Sequence, residues 1–162
     1  MLKIILNLIL ILFIIGLEET RITQAVFLNP CLCFIIFFAL SKNNLSFLWP
    51  ILGGLVLDYF SIFKFPIFTI SFLITFLSIR FVSEKIITFR NFLSLIIFSF
   101  GGVIFYNIIF LILNSFTYFL KIENILVVLN NKYFLYLLSN AVFTFFILFI
   151  FKKKYDITIL HS

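Results

Sequence analysis

The chain has 162 residues, of which 64% are hydrophobic and 11% charged, with a net charge of +6 and a mean hydropathy of +1.29. Soluble domains carry about a quarter charged residues, so this composition excludes an ordinary soluble enzyme and indicates one integral membrane domain over residues 1–162. The basic residues fall in short gaps between apolar runs, a pattern of topology and lipid headgroup contact rather than of nucleic-acid binding.

The first apolar run predicts a span over residues 2–17, preceded by Lys3 and followed by Glu18, Glu19 and Arg21. It has the charged start and apolar centre of a secretory signal. Gly16-Leu17-Glu18 does not supply a small-x-small cleavage site, so the segment reads as a retained first span. A second span is expected over 25–40, entered through Asn29-Pro30, since proline is tolerated in a first helical turn. Within it, Cys31 and Cys33 form neither a zinc spacing nor a redox C-x-x-C and read as small buried hydrophobes.

The third span, 45–63, contains Trp49-Pro50-Ile51-Leu52-Gly53-Gly54-Leu55-Val56-Leu57-Asp58. A carboxylate inside an apolar run is costly in hydrocarbon and must face protein or water. On a helix Pro50, Gly54, Asp58 and Ser61 line one narrow stripe, where Gly54 allows a neighbouring backbone to come close. Asp58 therefore either fixes helix packing or contacts a partner or ligand. Trp49, near the start of the run, is placed at headgroup level. Lys64-Phe65-Pro66 breaks the pattern and makes the third and fourth spans antiparallel neighbours.

The fourth span covers 67–82. Ser71, Thr75 and Ser78 form a polar stripe that either donates across to another helix or bonds back to its own carbonyls. Arg80, Glu84, Lys85 and Arg90 mark a charged loop. The fifth span is placed at 92–113, with Gly101-Gly102 as a close-packing or bend point and Asn107 and Asn114 two turns apart on one face, a possible polar pocket. The apolar piece 125–129 is too short to span. The sixth span, 133–151, ends at Lys152-Lys153-Lys154.

The expected fold is thus an all-α membrane bundle of about six transmembrane helices. With both termini inside, Lys3, Lys42, Arg80, Lys85, Arg90 and Lys152–Lys154 lie on the inner side, and Arg21, Lys64, Lys121 and Lys132 on the outer. The excess of inner basic residues favours that orientation.

Motifs for catalysis are missing. Intramembrane aspartyl chemistry needs two carboxylates sharing one site, and Asp58 stands alone in the predicted spans. No His or Glu is placed for base catalysis, and Walker, phosphate-loop and zinc motifs are lacking. The expectation is a protein that is not an enzyme and takes no cofactor or metal.

The order Asn29-Pro30, then Gly53-Gly54-Leu55-Val56-Leu57-Asp58, then Phe65-Pro66 resembles the MreD family of rod shape-determining membrane proteins. The motif-bearing part covers about a third of the chain, residues 28–82. Lys64-Phe65-Pro66 stands where the family's turn carries a glycine. The resemblance implies a non-enzymatic, multi-pass component of the bacterial inner membrane in the cell-elongation and peptidoglycan-synthesis machinery. Its implied partners are membrane lipids, an MreC-like single-span shape protein and other cell-wall elongation components. Pro50, Gly53, Gly54, Asp58, Ser71, Thr75 and Ser78 would then serve helix packing or partner binding. The alternative is the substrate-binding subunit of an energy-coupling-factor vitamin transporter, or another small transporter, with Asp58, Asn107 and Asn114 lining a ligand pocket. The first span lacks the small-x-x-x-small pair usual in those subunits.

Overall fold

The structure, a computed structural model, describes residues 28–41, 44–60, 66–85, 92–118 and 131–151. They form five α-helices: α1 (Pro30–Ala39), α2 (Leu48–Phe60), α3 (Ile67–Lys85), α4 (Phe92–Tyr118) and α5 (Asn131–Phe151). A 3-10 turn, Asn44–Phe47, leads into α2, and no strand occurs among the described residues. Three stretches are long and apolar enough to cross a membrane: Ile67–Lys85, Leu93–Ser115 and Tyr133–Ile150. Six spans are therefore not what the described residues hold. The predicted span 2–17 and the apolar piece 125–129 lie outside them.

The second predicted span is corrected to a ten-residue helix that starts at Pro30 rather than at residue 25. Asn29 stops it from extending backwards. Its backbone is non-helical (φ −113°, ψ 89°) and its side chain accepts from the Leu32 N–H at 2.8 Å, an N-cap followed by proline at the first helical position. At 1.5 Å per residue this helix covers only about 15 Å, half a hydrocarbon layer. The third predicted span is a 3-10 turn followed by the thirteen-residue α2.

The remaining helices overrun their predicted ends. Helix α3 continues to Lys85, so Arg80, Glu84 and Lys85 lie on helix rather than loop. Arg80 Nε donates to Glu84 Oε1 at 3.0 Å, an i,i+4 pair that supports this last turn. Helix α4 reaches Tyr118 rather than stopping at residue 113, and α5 begins at Asn131.

Helix α1 is the core. Leu32, Cys33, Ile35 and Ile36 have almost no exposed surface, and α2, α3, α4 and α5 all contact this helix. A helix apolar all round is one that must be covered on every side. Trp49 belongs to this core. It is buried, with its indole stacked on Phe38 at a centroid distance of 4.2 Å. Two aromatic faces gain more by meeting each other than by leaving one at the rim.

Aromatic contacts set the helix directions. Phe68 meets Phe110, Phe72 meets Tyr106, and Ile79 lies against Gly102, so α3 and α4 are antiparallel. Phe47 meets Phe76 and Gly54 meets Thr69, so α2 and α3 are antiparallel as well. The neighbour relation expected from Lys64-Phe65-Pro66 is what the structure has.

Candidate functional site: a carboxylate that closes a helix hairpin

Helix α3 begins without a cap of its own. Ile70 N–H donates to the Pro66 carbonyl at 3.1 Å, which puts Pro66 in the capping position. Proline has no side-chain acceptor, and the first turn of α3 holds no acidic residue. The leading amides of a helix still need partners. Asp58, ten residues upstream on α2, supplies them. Its Oδ1 accepts from Phe68 N–H at 2.9 Å, and Oδ2 accepts from Thr69 N–H at 2.9 Å and from the Thr69 hydroxyl at 2.6 Å. The anion also lies at the positive end of the α3 dipole.

Gly54, one turn before Asp58, makes this approach possible. A Cβ at position 54 would lie 2.4 Å from Thr69 Cα and 2.8 Å from Thr69 N, inside the backbone of α3. No side chain fits. Of the predicted stripe, Gly54 and Asp58 both meet the start of α3 and Pro50 is buried; Ser61 lies outside the described residues. Gly53 differs from its neighbour, for a Cβ there would meet nothing within 4 Å. Leu55 and Tyr59 point outward.

The hydroxyl stripe of α3 divides. Ser71 and Thr75 are fully buried, whereas Ser78 is partly exposed. Thr75 Oγ1 donates back to the Ser71 carbonyl at 2.7 Å, and the Ser71 hydroxyl finds no partner among the described residues. On α4, Asn107 is buried and its amide donates to the Val103 carbonyl of its own helix at 2.7 Å. Asn114 is half-buried two turns further on.

One polar residue that the sequence reading passed over has the same duty as Asp58. Asn140, fully buried in the middle of α5, accepts from the Asn29 N–H through Oδ1 at 2.7 Å, directly at the start of α1. Its own amide donates to the Tyr136 carbonyl at 2.7 Å, and the Cys33 thiol lies 3.6 Å from both its Oδ1 and its main-chain oxygen. A lone amide in the apolar run 133–151 was the available signal, since such a group in hydrocarbon needs a partner on another helix.

Both arrangements satisfy backbone donors at helix starts that lie against other helices. Among the described residues, no three His, Cys, Asp or Glu side chains gather as they would to hold a metal ion. Cys31 and Cys33 are buried free thiols. In comparison with known proteins, no family model, curated protein or solved structure matches the chain. What this geometry can do chemically is hold helices in fixed register.

Proposed function

We propose that the protein is a multi-pass scaffold of the bacterial plasma membrane, of the rod shape-determining MreD type, which holds a single-span shape protein beside the cell-wall elongation machinery. The observation that carries this reading is the engagement of Asp58 by the start of α3. A carboxylate that accepts from the Phe68 and Thr69 amides and the Thr69 hydroxyl serves architecture. The Gly-Gly-Leu-x-Leu-Asp segment behind the family resemblance is the same segment that closes the α2–α3 hairpin. In this reading residues 2–17 supply a further span and both termini lie inside. The basic residues that follow α1, α3 and α5 in the sequence then face the cytoplasm.

The deciding experiment is co-purification of the tagged full-length chain with a co-expressed single-span, coiled-coil shape protein in mild detergent. Stoichiometric recovery is expected. Loss of the partner from an intact, helical protein, or co-elution of a vitamin in its place, moves the assignment to a transporter subunit.

A further inference from the structure

The exposed side chains of the bundle carry two distinct marks, and the helix register fixes the distance between them. At one end, Tyr59 is 83% exposed, next to the Asp58 carboxylate that caps α3. At the other end, the Arg80–Glu84 pair lies on the outside of α3, followed by exposed Lys85. Because Asp58 is level with Phe68, the rise along α3 from Phe68 to Glu84 measures the gap, about 24 Å at 1.5 Å per residue. This is a few ångströms less than the ~30 Å of a hydrocarbon layer, a mismatch that a bilayer takes up by thinning locally.

Between the marks, the outward surface is apolar. Leu77 and Phe81 on α3 and Ile97, Ile104, Ile108 and Ile112 on α4 are all exposed. The pairing of Phe68 with Phe110 and of Ile79 with Gly102 puts Ile104 level with the middle of this band. A tyrosine has an apolar ring and a polar tip, and an arginine a long apolar stem, so each is suited to one boundary of the layer.

From this we infer that Tyr59 and the Arg80–Glu84 pair mark the two boundaries of the bilayer on this protein, with phospholipid acyl chains covering the row through Ile104. Asp58 then sits just inside one boundary, not at mid-depth, and its cap needs only the protein on one side. This placement rests on the membrane character of the chain and not on the identity of any partner. Failure of the co-purification leaves it standing, and its own failure leaves the co-purification unaffected.

Depth measurement tests it. Spin labels are attached at Tyr59→Cys, at Ile104→Cys and at Leu93→Cys, an exposed site at the start of α4 beside the Arg80–Glu84 end of α3, in the full chain reconstituted in phosphatidylethanolamine–phosphatidylglycerol vesicles. The unsubstituted protein, with its buried Cys31 and Cys33, is the labelling control. The ratio of oxygen to nickel-chelate accessibility is expected to be several-fold higher at Ile104 than at Tyr59 or Leu93. A flat profile, or a maximum at Tyr59, overturns the placement. Leu77→Cys and Ile108→Cys are further mid-depth reporters judged by the same criterion if Ile104→Cys loses its helicity.

Discussion

Asp58 and Thr69 are joined through both the backbone amide and the hydroxyl of the threonine, at 2.9 and 2.6 Å from a single carboxylate oxygen. The same threonine's Cα is the atom that a side chain at position 54 would strike. Capping and close approach are thus one contact, made one helical turn apart on α2. Asp58→Leu removes the carboxylate that accepts from the Phe68 and Thr69 amides and the Thr69 hydroxyl. The expected loss is about 2 kcal/mol of folding stability, measured by reversible unfolding in detergent. Asp58→Asn keeps one oxygen and gives up the charge, and it should fall between. Equal stability of all three proteins would show that the cap contributes nothing.

The paired glycines give a sharper contrast. Gly54→Ala drives a methyl into backbone that has no rotamer by which to yield, so α2 and α3 must separate. A penalty of about 3 kcal/mol is expected, at the upper end for overpacking. Gly53→Ala meets open space. It should be neutral or stabilising by roughly 0.5–1 kcal/mol, because alanine restricts the unfolded chain and favours helix. The comparison is made by thermal unfolding of the two variants side by side. A reversal of their order would contradict the helix contact described above.

A third expectation concerns Gly102. A Cβ there would lie 3.1 Å from the Cδ1 atoms of both Ile36 and Ile79, the far ends of flexible side chains. Gly102→Ala should therefore be mild and Gly102→Leu severe, since the larger group has to displace α1 from α4. Yield of folded, monodisperse protein after size-exclusion chromatography separates the two outcomes.

The sequence announced that Asp58 needs protein around it, and the tight Lys64-Phe65-Pro66 break announced which helix would be next to it. It did not announce that the partner would be main chain, because backbone donors have no letter in a sequence. The clue was negative: proline at the capping position and no acid in the first turn of α3. Helix ends were misjudged where hydropathy was the guide. Asn29-Pro30 starts α1 later than its apolar flank indicated, and the last turn of α3 continues through Arg80 and Glu84, which pair with each other. That Trp49 would be buried against Phe38 was not legible, because its amphipathic ring does not name a stacking partner. Asn140 was legible in principle. A single amide among aromatics and aliphatics carries the same demand for a partner as Asp58, without the charge that draws attention to it.

That demand leads to the last prediction. Asn140 and Asn107 are both buried asparagines on long apolar helices, and both donate to a carbonyl one turn earlier. Asn140 also reaches another element: it accepts from the Asn29 N–H, and the Cys33 thiol of α1 lies 3.6 Å from its Oδ1. Asn140→Leu leaves the Asn29 amide at the start of α1 without its acceptor inside the bundle, which costs about 1–3 kcal/mol. Asn107→Leu removes a bond within one helix and exposes no donor elsewhere, so its effect should be clearly smaller. Hydrogen exchange distinguishes this from a general loss of packing. In Asn140→Leu, faster exchange should be concentrated at the amides of Asn29 and the first turn of α1, while α3 keeps its protection. Uniform acceleration across α1 and α3 would mean that Asn140 acts through bulk and shape, and that the Asn29 contact is incidental.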